Sequence, residues 1–257
     1  MSQYPPIAAT TRRGFMAMAA AAGAAPGRAL AASPIRAVAF DAFPILDPRA
    51  VFALARQLAP KRGEALRELW FQKLFAYTWL HTTAGRYVGF AEVIAESLDY
   101  AAAATGVALT RAQRDQLIGA FWSLPVWPDV KEELAGLRAA GLRLAFLSNM
   151  SEPMLRANLR HNGIEPLFEA VLSTDRVRAF KPASAAYALG PQALSLRKPE
   201  IAFAAFAAWD AAGASWFGYP TAWVNRLGQP PETVGAPPAV AAGRDLGVVA
   251  DLVRRAA

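Results

Sequence analysis

The chain has 257 residues, 54% of them hydrophobic and 18% charged, with no cysteine and two histidines. That length and apolar content suit one sizeable α/β core, with or without a small second lobe. The missing cysteines exclude a thiol nucleophile, a disulfide framework and Cys-ligated zinc, while His81 and His161 stand in no metal-ligand spacing. The formal charge of +7 falls to +4 once Arg12, Arg13 and Arg28 of the leader are set aside. The remaining basic residues are mixed with acids rather than gathered in a stripe, so nucleic-acid binding is not indicated.

Residues 1–31 have the layout of an export leader. Arg12 and Arg13 precede Phe15, an apolar run covers 16–25, and Ala29, Leu30 and Ala31 form an A-x-A site after Pro26 and Gly27. The paired arginines resemble a twin-arginine signal peptide. The apolar run is too short to span a bilayer comfortably. The expectation is cleavage near Ala31, export of a folded protein to the periplasm, and no stable membrane insertion afterwards.

The organising stretch follows at 35–41, a short apolar run that ends on the carboxylate of Asp41 and passes into Phe43 and Pro44. Such a run reads as a buried strand of a parallel sheet, and open α/β sheets hold ligands just beyond their strands' carboxyl ends. Asp47 and Pro48 then read as an N-cap and first helical residue, opening a helix to about Leu58. Leu66, Leu69, Trp70, Lys73, Leu74, Tyr77 and Leu80 recur at helical spacing, a third helix is expected over 90–104, and Thr110 suits the cap of a fourth. With no strand signal over 48–124, this block reads as an inserted helical lid.

Alternation then resumes. The pattern predicts a helix over 128–140, a strand over 142–147 ending at Ser148 and Asn149, and a helix from Ser151 to about Gly163. It continues with a strand over 170–173, a helix carrying Tyr187 after Lys181 and Pro182, and a strand over 201–205. Trp209 and Asp210 open another helix, and a fifth strand covers 221–224. Strands alternating with helices predict a doubly wound, Rossmann-like parallel sheet. The predicted division is a leader over 1–31, a core domain over 32–47 and 126–257, and a helical cap over 48–125.

Four polar residues, Asp41, Ser148, Lys181 and Asp210, thus stand after four strand-like segments. Each alone has a plain structural explanation as a turn residue, a helix cap or a solvated charge. In this order they resemble the four motifs of the haloacid dehalogenase superfamily, and most nearly its type II branch, the (S)-2-haloacid dehalogenases. The segments 40–43, 77–80, 147–149, 181–187, 209–214 and 223–226 all carry the likeness.

The resemblance implies a cofactor-free hydrolase acting on a short 2-haloacid. Asp41 would be the nucleophile, forming an ester that water hydrolyses. Lys181 would pair with it, Ser148 and Asn149 would hold the substrate carboxylate, and Asp210 would help deliver the water. Tyr187, Phe71, Phe75, Phe90 and Trp209 match substrate-binding positions, and type II relatives imply a homodimer. The superfamily's phosphatases carry a second Asp two residues after the nucleophile. Phe43 stands there, which argues against a metal-dependent phosphatase and predicts no metal site.

Three departures mark this chain. An aromatic-Gly-Thr pattern becomes Phe43, Pro44 and Ile45; the lid arginine that follows a Trp becomes Phe71 after Trp70; and Ser-Ser-Asn becomes Ala205, Phe206 and Ala207. Lys73 and His81 are the candidates to replace the lost arginine. The alternative reading is a divergent, catalytically weak relative that binds or hydrolyses another small acid.

Overall fold

The computed structural model describes residues 35–256, so the expected leader lies outside the described residues. A six-stranded parallel sheet runs in the order β3-β2-β1-β4-β5-β6. Its strands are β1 (Ala37–Phe40), β2 (Arg143–Ser148), β3 (Ala170–Ser173), β4 (Ile201–Ala205), β5 (Thr221–Val224) and β6 (Ala241–Gly243). Between β1 and β2 lie the helices α1 (Arg49–Leu58), α2 (Gly63–Thr83), α3 (Phe90–Thr105), α4 (Arg111–Gly119) and α5 (Val130–Ala139). The others are α6 (Glu152–Asn162), α7 (Ser184–Leu194), α8 (Ala208–Phe217) and α9 (Gly247–Ala256).

Strands β1 and β4 are apolar throughout, and β2 is so between Arg143 and Ser148, because both faces are covered. Val38, Phe40, Leu144, Phe146, Ala202 and Ala204 belong to one buried cluster, shared with Leu134 of α5, Leu155 of α6 and Val249 of α9. Ala37, Ala39, Ala145, Leu147, Ile201 and Phe203 belong to the other, with Tyr187 and Leu194 of α7 and Ala214 of α8. Successive residues of each strand alternate between the two clusters, as a period of two requires.

The predicted strands agree closely with the observed ones, and the helices differ mainly at their ends. Asp47 does not occupy the cap position itself: its Oδ1 accepts the Arg49 N–H at 2.9 Å, and Pro48 precedes the first helical residue. Thr110 caps α4 in a reciprocal box with Gln113. Ser151 caps α6, which ends at Gly163 with φ of 66°. A sixth strand and a terminal helix extend the predicted pattern. β6 reads Ala-Ala-Gly, three residues without the β-branched or aromatic side chains that mark a strand. Among the described residues no helix is long and apolar enough to cross a membrane.

Helices α1 to α4 form the cap, and the chain enters and leaves it side by side. Leu46 and Val126 form an antiparallel bridge, the Asp47 N–H donates to the Pro125 carbonyl at 2.8 Å, and the Trp127 N–H donates to Ile45 at 3.2 Å. The exit is tied down by Asn158, which is fully buried on α6. Its Oδ1 accepts the Leu124 N–H at 2.7 Å, while its Nδ2 donates to the carbonyls of Phe121 and Met154, each at 2.9 Å.

Replacing Asn158 by Ala strands a buried backbone N–H and a carbonyl. Leaving such groups unpaired costs about 1–3 kcal/mol each. Asn158→Ala should therefore lower the unfolding free energy by about 2–5 kcal/mol in urea titration, with an unchanged slope.

Candidate active site

On leaving β1 the chain adds β2 and β3 on one side, then returns to add β4, β5 and β6 on the other. The crevice beyond β1 and β4 is thus the point where strand order reverses, the preferred ligand site of open α/β sheets. The loops after β1, β3 and β4 meet there. Asp41 follows β1, with its N–H donating to the Ala204 carbonyl of β4 at 3.0 Å. Lys181 lies beyond β3 and Asp210 in the first turn of α8.

Lys181 is fully buried, and its Nζ donates to Asp41 Oδ1 at 2.8 Å and to Asp210 Oδ2 at 2.7 Å. The ammonium also sits 5.1 Å from the centre of the Phe203 ring. Tyr187 donates its hydroxyl to Asp210 Oδ1 at 2.7 Å, and the Phe43 N–H reaches Asp41 Oδ2 at 3.3 Å. One cation therefore holds two carboxylates, and the Asp41 side chain retains 13% exposure against 1% for Asp210. Asp41 is the carboxylate open to a reactant; Asp210 is its buried companion.

Burial alone would lower Lys181, but the two carboxylates together outweigh it and hold the ammonium above the ordinary lysine value. For Asp210, burial is the largest effect and raises its pKa. Lys181 pulls it partly back, the charge of Asp41 adds to the rise, and the group is pushed up to about 6. Burial, then Asp210, drives the Tyr187 hydroxyl well above the usual phenol value, so it remains a donor.

Ser148 and Asn149 reach the crevice from the end of β2. Ser148 Oγ accepts the Met150 N–H at 3.2 Å, which leaves its own proton to donate. Asn149 Oδ1 accepts the Lys181 N–H at 2.9 Å and the Thr174 hydroxyl at 3.4 Å. Its Nδ2 is buried and has no hydrogen-bond partner. An unpaired buried donor is costly and calls for an acceptor, which water or a ligand oxygen supplies.

The aromatic positions separate. Phe71, Phe75 and Trp209 line one cavity, with the Phe75 and Trp209 rings 5.2 Å apart. Phe90 instead lies buried in the apolar core, 6.2 Å from Phe180, and contributes nothing to that wall. Tyr187 also departs from the expected substrate contact. It is fully buried beneath the sheet, with its hydroxyl engaged by Asp210, so it positions that carboxylate. Gly213 makes room for it: a Cβ there would lie 2.5 Å from the Tyr187 hydroxyl and 2.8 Å from Pro182. Neither candidate for the missing arginine faces Asp41. Lys73 lies 4.3 Å over the Tyr100 ring, and His81 is held between the Arg86 carbonyl and Glu96.

A clamp on the loop after Asp41 has no counterpart in the sequence pattern. The Phe43 carbonyl accepts from Trp127 Nε1 at 3.0 Å, and the Pro44 carbonyl from Arg226 Nη2 at 2.8 Å. The Ile45 carbonyl accepts the Trp127 N–H. Arg226 is almost fully buried, pairs with Asp129 at 2.7 Å and lies 4.9 Å over the Trp127 ring; Arg49 lies 4.3 Å from the same ring. Of these residues only Phe43 and Arg226 stood in motifs, and nothing in those motifs names their partners.

The geometry is that of a carboxylate, open on one side, fixed by a buried ammonium beside an unpaired amide donor. A family model described as haloacid dehalogenase-like hydrolase matches residues 17–218. The chain belongs to the haloacid dehalogenase-like hydrolases. It is 37% identical over 205 residues to an (S)-2-haloacid dehalogenase of Pseudomonas sp. (strain YL), covering 79% of this chain and 88% of that relative. A crystal structure of the L-2-haloacid dehalogenase RSc1362 superposes with a TM-score of 0.82 at 39% identity, covering 87% of this chain and 99% of that one. An L-2-haloacid dehalogenase from Xanthobacter autotrophicus with chloropropionic acid covalently bound gives 0.79 at 31%, covering 86% and 98%.

A divalent cation of the kind phosphoryl transfer needs is held through one or two carboxylates together with waters and the substrate phosphate. Here both oxygens of Asp41 and both of Asp210 accept protein hydrogen bonds. Among the described residues no group of three or more His, Asp or Glu is placed to hold an ion.

Tyr187→Phe removes a hydrogen bond that favours the ionised form of Asp210, so the carboxyl should titrate above 6 in the variant, read by ¹³C NMR of labelled aspartate. A carboxyl raised in the folded state is stabilising while protonated, and that contribution is lost as pH rises from about 4 through 6.

Proposed function

We propose that this protein is a hydrolytic dehalogenase of short 2-haloalkanoic acids that works through an ester on Asp41. The observation that carries this reading is the single buried ammonium of Lys181 bridging Asp41 and Asp210. The relative with chloropropionic acid covalently bound supports a covalent route.

In the first step an Asp41 oxygen attacks C2 of the substrate from the face opposite the halide. The new C–O bond forms as the C–halogen bond breaks, halide leaves with the bonding pair, and C2 inverts. The Ser148 hydroxyl and Asn149 Nδ2 donate to the substrate carboxylate, which would give the unpaired amide its acceptor. In the second step water attacks the ester at the Asp41 carbonyl carbon. Asp210, ionised above pH 6, takes the water's proton, and Lys181 balances the charge on both carboxylates. The ester bond to the C2 oxygen breaks, that oxygen takes a proton back from Asp210 as the 2-hydroxy acid leaves, and Asp41 returns to a carboxylate, with one oxygen from water, as the water's second proton passes to solvent. Phe71, where relatives of this type carry an arginine, brings no charge to the departing halide. That motivates a second reading, a catalytically weak relative that binds or hydrolyses another small acid.

On sequence pattern alone we further propose that residues 1–31 direct export to the periplasm and are cleaved there. The proposed division is a cap over 48–125 and a core over 32–47 and 126–257, and the family resemblance makes the working unit a homodimer.

Repeated turnover of (S)-2-chloropropionate in H₂¹⁸O should place label in the peptide containing Asp41, read by mass spectrometry. Label confined to the product would instead mean direct attack of water on C2. Asp41→Asn should reduce chloride release by about a thousandfold or more, the scale on which loss of a nucleophile acts. In the wild type, the rate of ester hydrolysis, read in kcat, should rise with pH through about 6 as Asp210 loses its proton.

A further inference from the structure

The Asn149 amide is aimed by its neighbours. Its Oδ1 takes two donors, the Lys181 N–H at 2.9 Å and the Thr174 hydroxyl at 3.4 Å. Turning the amide over would set an NH₂ group against both, so Nδ2 faces the other way, where it is buried and unpaired. Both donors belong to one short stretch, from Thr174 to Lys181, that follows β3. Whatever fixes that stretch decides the direction of the amide.

The cap does much of the fixing, from the turn between α2 and α3. Near the start of the stretch, the Tyr87 hydroxyl donates to Asp175 Oδ1. Near its end, the Phe180 N–H donates to Thr82 Oγ1 at 3.0 Å. The Tyr87 ring packs on Phe180 with centroids 4.8 Å apart, and the Arg178 guanidinium lies 5.3 Å from the centre of the same ring. Arg178 has φ of 50°, a left-handed conformation uncommon for a residue with a side chain, so the stretch bends sharply beside this ring. The turn is itself braced: the ring nitrogens of His81 meet the Arg86 carbonyl at 2.7 Å and Glu96 at 2.8 Å. Burial, then Asp175, holds the Tyr87 phenol well above its usual range, so it remains a donor.

We propose that Tyr87 is a positioning residue for substrate binding, a cap side chain that sets the aim of the Asn149 amide through Asp175 and Thr174. It touches no reacting atom. Its effect falls on capture of the substrate carboxylate, and bond breaking at C2 is left to Asp41. The role rests on the reading of Asn149 as a donor to that carboxylate, and it does not require halide release.

Two conservative variants test it. Tyr87→Phe keeps the ring and deletes the donor, and Thr174→Val keeps the branched shape and deletes the hydroxyl. Propanoate, which carries the carboxylate and no halogen, is titrated calorimetrically. Each variant should weaken its binding about tenfold, the scale of one hydrogen bond to a charged group. KM for (S)-2-chloropropionate should rise to match, with kcat within about twofold of wild type. The double variant should bind no more weakly than either single one, because both changes cut the same chain of contacts. Propanoate binding unchanged in Tyr87→Phe, a fall in kcat with KM unmoved, or losses that multiply in the double variant would overturn the role. Halide release by a wild type whose propanoate binding ignores both variants sinks the role of Tyr87 and leaves the dehalogenase. Tenfold losses in propanoate binding from a wild type that releases no halide sink the dehalogenase and leave the role of Tyr87.

Discussion

One ammonium ion holds this site together. Lys181 Nζ is within 2.8 Å of two carboxylates that arrive from different strands, and no water-exposed surface shares the load, since the lysine is fully buried. Removing one partner from such a buried arrangement strands charge at a cost of about 3–5 kcal/mol. The fold around it can be understood as what keeps the three groups together. The reversal of strand order opens the crevice, Asn149 fixes the Lys181 backbone, and Tyr187 fixes Asp210.

Much of this was legible in the chain. Parallel strands buried on both faces are short apolar runs, and the polar residue at which each run stops is the one delivered to the crevice. Hence Asp41, Ser148 and Asn149 could be named from position, and Lys181 and Asp210 from their order and the family likeness. What was hidden lies in contacts between distant segments. Arg226 and Pro44 are separated by 182 positions, and Trp127 and Phe43 by 84, so no local spacing betrays the clamp. Phe90 and Tyr187 look like their counterparts in the resemblance, yet whether an aromatic ring faces a ligand or the core is decided by packing. β6 was invisible because Ala-Ala-Gly carries no strand preference and is recruited only by the edge of β5.

The clamp explains how a loop that departs from the family pattern can still present its carboxylate. Phe43, Pro44 and Ile45 each have their carbonyl bound from outside, by Trp127 side chain, Arg226 and Trp127 backbone in turn. Rigidity that a glycine turn and a threonine hydroxyl would supply locally is here supplied by tertiary hydrogen bonds. Trp127 between two guanidinium groups is the centre of that support, and Asp129 neutralises the deeper of them.

The side-by-side entry and exit of the cap have a mechanical meaning. Both threads cross at Leu46 and Val126, one position from the tryptophan that grips the loop of Asp41. At the other margin of the cap, Thr82 accepts the N–H of Phe180, the residue before Lys181. The cap is thus tied to the backbone beside both members of the charged pair, through a spine at one end and a latch at the other.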